Sequence, residues 1–366
     1  MNDEMVKEII VGVLEKDTSA SGKSLKKEIK ERKKQIWDQI GNFDRIRYFD
    51  IFNAMLRERF YKVVDRVATR EDLNFLKASG FGTEQWSDNS FNFMNTNKIC
   101  QNVCLYCYIG GISNHYGRVQ LKDIINDYEK DGIEIVSDGC PITGQERRNR
   151  RMEFTIDPEK AATTWGKKGR RKLWMSPTAH DIFPENVDAA ISAWKRLLDA
   201  GHQLIIVSKP LLPCIEKITT ELAGYNNSVL FRFTITSNKQ DILDTWELFA
   251  PTFEERVACL KLAKERGFTV STSMEPFLSD PVETVRSIEK HINGEIWIGM
   301  LNGFPSEKII GRPFSKKLKD EIDRVKEMYD FENINRIVTE LRKNPKIQWK
   351  ESVLKAFEKQ FYPRRA

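Results

Sequence analysis

At 366 residues the chain is long enough to bury one large core or two of ordinary size, so it needs no staples to stay folded. Its 40% hydrophobic and 31% charged content is that of a globular protein, and no run approaches the roughly 18 consecutive apolar residues of a membrane helix. A net charge of +6 is too mild to single out nucleic acid as a partner.

The opening MNDEMVKEIIVGVLEKD mixes acids and lysines with apolar positions, which is not the layout of a signal peptide, and a cytoplasmic location is expected. Residues 1–90 read as a helical extension, with apolar residues at helical spacing in Ile36-Trp37-Ile40 and Ile51-Phe52-Met55-Leu56-Phe60. Within it, Lys23 to Lys34 carries Lys23, Lys26, Lys27, Lys30, Arg32, Lys33 and Lys34 beside Glu28 and Glu31. That run is either a solvated helix face or a contact for an acidic partner.

After Gly80 short apolar runs alternate with amphipathic stretches. FNFMNT opens the series, and KLWMSPT, HQLIIVS, VLFRFTITS, FTVSTSMEP and EIWIGML follow as strands. VDAAISAWKRLLDAG and FEERVACLKLAKERG are helices ending at glycine. Strands alternating with helices imply a parallel sheet, and we expect an α/β domain over 91–305, curved into a partial (β/α)6 TIM-like barrel. Chemistry in such sheets sits at the carboxyl ends of the strands. Leu121 to Arg171 reads as an insertion carrying Arg147, Arg148, Arg150 and Arg151, with Lys167, Lys168, Arg170, Arg171 and Lys172 close behind. Residues 306–366 read as a helical C-terminal region.

Three of the six cysteines fall within eight residues, as Cys100-x3-Cys104-x2-Cys107, while Cys140, Cys214 and Cys259 stand apart without ligand spacing. Three thiolates on so short a loop can face one four-iron four-sulfur core and leave one iron open for the amino and carboxylate groups of S-adenosylmethionine. The alternative is a structural zinc site completed by His115, which would make the chain a noncatalytic binding module.

The loop KICQNVCLYCYIGG and the succession of later strands resemble the radical S-adenosylmethionine superfamily, and within it the spore photoproduct lyase family. The similarity spans roughly Phe91 to Asn302 and includes MSPTAHD, VSKP and RFTITSN. It implies a [4Fe-4S] cluster on Cys100, Cys104 and Cys107, reductive cleavage of S-adenosylmethionine to a 5′-deoxyadenosyl radical, and an electron donor such as flavodoxin or ferredoxin. By the same resemblance Lys209 pairs with the carboxylate of S-adenosylmethionine and Asp181 lies near its amino group. Thr236 or Ser237 would hydrogen-bond its ribose or methionine part, and Glu275 would point into the same mouth. Tyr106 and Tyr108 match tyrosines that relay a hydrogen atom in the lyase. Tyr106 also stands where the superfamily packs an aromatic beside adenine, and Gly110-Gly111 would let the backbone pass close to the cofactor. The sequence departs from the lyase at its hydrogen-donating cysteine, where Thr178 stands, so repair by that route is not expected; Cys140 is the alternative thiol.

Two substrate classes remain. Nucleic acid or a nucleotide is suggested by the basic groups at 147–151 and 167–172 with Trp165 and Trp174 nearby, and a small molecule or peptide is the alternative. His180 is read as mouth-lining.

Overall fold

Four amphipathic helices come first, three of them started by a side-chain cap. The Asn2 side chain accepts from Met5 N at the start of α1 (Asp3–Leu14), Asp44 caps α3 (Arg45–Val64), and Thr69 with Asp72 forms a capping box on α4 (Arg70–Ala78). In α2 (Gly22–Ile40), Leu25, Ile29, Ile36 and Ile40 recur at helical spacing and are buried. The computed structural model describes residues 1–18, 21–80, 82–93, 100, 102–107, 169–310 and 313–362.

The remainder is α/β, with a seven-stranded sheet. Its strands are β1 (Asn89–Ser90), β2 (Leu173–Ser176), β3 (Gln203–Ser208), β4 (Val229–Thr234), β5 (Thr269–Met274), β6 (Ile296–Ile298) and β7 (Ile347–Trp349). They lie in chain order and every neighbouring pair is parallel, so each connection must cross over. Helix α5 (Val187–Asp199) joins β2 to β3, α6 (Leu212–Glu221) joins β3 to β4, and α7 (Gln240–Trp246) with α8 (Phe253–Glu265) joins β4 to β5. After α9 (Pro281–Ile288) and β6 come α10 (Glu307–Ile310), α11 (Lys316–Met328) and α12 (Phe331–Leu341), and α13 (Glu351–Phe361) follows β7. The central strands β3 and β4 are buried along nearly their whole length, as expected where both faces are covered.

The sheet is curled. Arg232 on central β4 stacks over the ring of Trp86, which precedes edge strand β1, at 4.6 Å. Just beyond the other edge, Lys350 donates to Gly82 O at 2.8 Å. The segment Gly82–Trp86 is therefore wedged between the two edges. Helix α3 covers the amino ends of the strands, where Gln203 accepts from the backbone N–H of Arg45 at 2.7 Å and Asn53 donates to Glu295 at 3.2 Å. The carboxyl ends are left to the site.

Two expectations need correction. Among the described residues the sheet has seven strands, not six, and the seventh, Ile347–Trp349, lies in the 306–366 stretch read as wholly helical. Three residues are too few to show a period of two. The first strand lies earlier than FNFMNT, at Asn89–Ser90, although Phe91 N still donates to Met175 O at 3.1 Å. Residues 94–96 of that string lie outside the described residues. The seven anticipated helix and strand strings from KLWMSPT onward otherwise stand where expected, and Gly201 and Gly267 close α5 and α8 at φ of 85° and 82°. Among the described residues no helix is long and apolar enough to cross a membrane.

Candidate active site

At the carboxyl ends of the strands lies a cavity of about 720 Å³, lined from every side of the sheet. Cys100, Cys104, Cys107 and Tyr106 come from the loop after β1, Thr178, His180 and Asp181 follow β2, and Lys209 follows β3. Glu275 follows β5, Met300 to Asn302 follow β6, and Lys350 and Glu351 follow β7. A pocket of this size is ordinary for a cofactor or a small substrate.

The cysteine loop is held at both ends by a buried carboxylate. Asp181 takes Asn102 Nδ2 at 2.7 Å and the Cys100 thiol at 3.5 Å on one oxygen. Its other oxygen takes Ser208 Oγ at 3.0 Å and Lys209 N at 2.6 Å. Burial opposes its charge, but Lys209 and these donors hold the carboxyl below the usual range. At the far end Glu247 accepts from the Tyr106 hydroxyl, from Thr236 Oγ1 at 2.8 Å, and from Arg256, with which it forms a wholly buried ion pair. The backbone reinforces this clamp: Leu105 N donates to Trp246 O at 2.9 Å and Phe249 N to Asn102 O at 3.2 Å. Between the clamps Val103 has a φ of 46°, rare for a β-branched residue. Its side chain is 1% exposed, packed with Leu105, Ile242 and Trp246, and this packing holds the strained turn that points the thiols inward.

Burial pushes the Cys100 thiol well up and that of Cys104 up to about 12, with the Lys209 ammonium pulling the other way. Lys209 is itself buried, which works against its charge, yet Cys104, Tyr106, Glu247 and Asp181 hold it well above its ordinary value. Its ammonium lies 5.6 Å from the centre of the Tyr106 ring, and among the described residues no carboxylate reaches it as an ion pair. A cation so placed is available to an anionic ligand group.

The opposite wall is differently built. Lys350 is 1% exposed, with its ammonium 3.6 Å from Glu275, 3.7 Å from Glu351 and 4.3 Å from the centre of the Trp86 ring. Burial raises the Glu275 carboxyl, with Lys350 opposing and Glu351 adding to the rise. Gly299, just after β6, makes room for this lysine: a Cβ there would lie 2.8 Å from Lys350 Cγ. Trp86 Nε1 and Glu351 Oε2 are buried and have no hydrogen-bond partner among the described residues.

Of the residues expected from sequence, Cys100, Cys104, Cys107, Tyr106, Asp181, Lys209 and Glu275 line this one cavity, as does Thr178. Thr236 and Ser237 are buried behind the wall, the first bonded to Glu247 and the second to Ser279 at 2.8 Å. Asp181 has both oxygens engaged by the chain, so its first task is to position the cysteine loop. Arg170 and Arg171, from the basic stretch, pair with Asp38 and Asp44, and Trp174 packs on Phe91. Tyr108, Gly110, Gly111, His115, Cys140, the arginines at 147–151, Trp165, Lys167 and Lys168 lie outside the described residues.

Sequence reasoning missed Asn102, Glu247, Arg256 and Lys350. Arg256 had left a sign: it shares the buried face of α8 with Leu260 and Ala263, where a charge needs a partner. Among the described residues no three His, Cys, Asp or Glu side chains gather as tightly as one metal ion would need. Three thiols line this cavity together with an ammonium that, among the described residues, no carboxylate reaches as an ion pair, and thiolates are the ligand type that would hold an iron-sulfur cluster. No protein-family model, curated protein or solved structure matches the chain.

Proposed function

We propose that the chain is a radical S-adenosylmethionine enzyme whose curled sheet is a partial TIM-like barrel flanked by helical extensions. The observation that carries this reading is the convergence of Cys100, Cys104 and Cys107 with the Lys209 ammonium on one cavity at the carboxyl ends of parallel strands. A [4Fe-4S] cluster held by the three thiols, with S-adenosylmethionine bound beside it, would supply reductive cleavage and hydrogen abstraction.

The chain's own residues account for the rest. Asp181 and Glu247 fix the loop, so the thiols need not reorganise when the cluster is seated. Lys209 receives a carboxylate on the cavity floor, and the Tyr106 ring offers an apolar face for a flat heterocycle. Glu275 and Lys350 stand across the cavity, where a substrate would lie. Thr178 faces the same space with its hydroxyl on Asn92 Nδ2 at 2.8 Å, and an O–H is a poor hydrogen-atom donor. The electron comes from an external donor of the flavodoxin or ferredoxin kind, and the substrate is a nucleotide, nucleic acid, small molecule or peptide.

Anaerobic reconstitution with iron and sulfide, followed by S-adenosylmethionine and a strong reductant, tests the reading. Wild type should form 5′-deoxyadenosine and a Cys104→Ala variant should not. Stoichiometric zinc in place of iron and sulfide, with no 5′-deoxyadenosine, would favour a zinc-stabilised binding module instead.

A further inference from the structure

Helix α2 is amphipathic in two senses, apolar against polar and, within its cations, paired against unpaired. Lys27 pairs with Glu31 at 3.9 Å, Arg32 with Glu28 at 2.5 Å and Lys34 with Asp38 at 2.7 Å. Lys33 donates to Glu84 O at 2.7 Å. Lys23, Lys26 and Lys30 are the exceptions: among the described residues none of them has an ion-pair partner, and of the three Lys26 and Lys30 line the cavity mouth with exposed side chains. These two stand four residues apart on one face, roughly 6 Å between Cβ atoms, a like-charge arrangement that disfavours the isolated helix.

The helix that carries the pair is anchored. Leu25 and Ile29 are buried beneath the pair, and Arg32 ties the helix to the carbonyls of Val13, Leu14, Lys16 and Asp17. The acid on that rim, Glu84, faces Lys33, whose charge it supports against burial. Deeper in, Lys350 is answered by Glu275 and Glu351. Unanswered positive charge on this side of the cavity is thus concentrated at Lys26 and Lys30, above an apolar lining of Trp86, Pro276, Met300 and Leu301.

We propose that α2 is part of the substrate site and that Lys26 and Lys30 together receive an anionic group, a phosphate or carboxylate, of a substrate whose uncharged part reaches inward past Trp86 toward Glu275. This rests on the cavity being the reaction site. The helical extension is then a selectivity element, and a substrate lacking the anion is bound poorly. Two ammonium groups bracketing one doubly charged anion relieve their mutual repulsion only when it is bound.

The test is differential lysine labelling of the full chain read by mass spectrometry, with inorganic phosphate in one arm and succinate in another. No S-adenosylmethionine or reductant is added, so the outcome is independent of the 5′-deoxyadenosine experiment. Phosphate or succinate should slow labelling of Lys26 and Lys30 about threefold at twice its dissociation constant. Lys27 and Lys34, on the same helix, should label as before. Protection by phosphate alone assigns a phosphate-bearing substrate, and protection by succinate alone assigns a carboxylate-bearing one. A double variant Lys26→Gln, Lys30→Gln should weaken anion binding about tenfold, and Lys26→Arg with Lys30→Arg should restore it. Equal protection of all four lysines, or none by either anion, overturns the proposal.

Discussion

The two walls of the cavity are built on opposite plans. On the cysteine wall the anchoring groups are tied by the chain itself: Asp181 engages four donors, Glu247 three, and the backbone of the loop is stitched to Trp246 and Phe249. On the facing wall the charged contacts are longer: Lys350 donates to Gly82 O at 2.8 Å but stands 3.6 and 3.7 Å from its two carboxylates. A group that stays in place calls for a preorganised wall, whereas one that arrives and departs calls for open valences. On the proposed reading, the cysteine wall would be the cofactor side and the facing wall the substrate side.

The hardest test of that contrast is to cut the deepest tie on the cysteine wall. Arg256→Leu leaves the Glu247 carboxylate fully buried without its cation, and removing one partner of such a pair costs about 3–5 kcal/mol. Urea unfolding should show this loss, and cysteine reactivity should rise because Tyr106 and the loop lose a fixed acceptor. A cost below about 1 kcal/mol would mean that Glu247 takes up a proton and the clamp is weaker than its geometry implies.

The same contrast governs what was legible in the sequence. The cysteine wall announced itself, because thiol spacing is a local pattern and the strands leading to it carry long apolar runs such as LIIV and VLF. Lys209 and Asp181 could be placed because each directly or closely follows a strand. The clamps were harder to see: Glu247, with Arg256 paired behind it, meets Tyr106 across 141 residues, and no local period encodes that meeting. The facing wall was nearly silent, since Lys350 follows a three-residue strand and Lys26 and Lys30 looked like any solvated lysines. Their pairing state, the feature that distinguishes them, exists only in the fold.

The walls should also respond to pH with opposite sign. Burial holds His180, on the cysteine wall, down to about 4 from an ordinary 6.5. The folded protein keeps this ring neutral while the unfolded chain protonates it, so its contribution is complete above pH 6.5 and is lost as pH falls toward 4. About 3 kcal/mol is at stake from a shift of that size. A His180→Gln variant, which lacks this titration, should therefore lose its deficit in melting temperature relative to wild type as pH is lowered from 7 to 4.5. A constant deficit would show that the ring is already charged in the fold.

Glu275 gives the smallest and most discriminating effect. Its carboxyl is raised by burial above the ordinary 4.5, despite Lys350, so the folded state holds its proton more tightly than the unfolded one. The stability this contributes is present below pH 4.5 and is lost as pH rises through the folded value, the reverse of His180. Glu275→Gln keeps the shape and removes the charge. It should leave stability unchanged at pH 4 and raise it at pH 8 by about 1 kcal/mol or less, because Glu351 still answers Lys350. If the variant were instead less stable at pH 8, Lys350 would need the ionised Glu275, and the facing wall would be as firmly tied as the one that carries the cysteines.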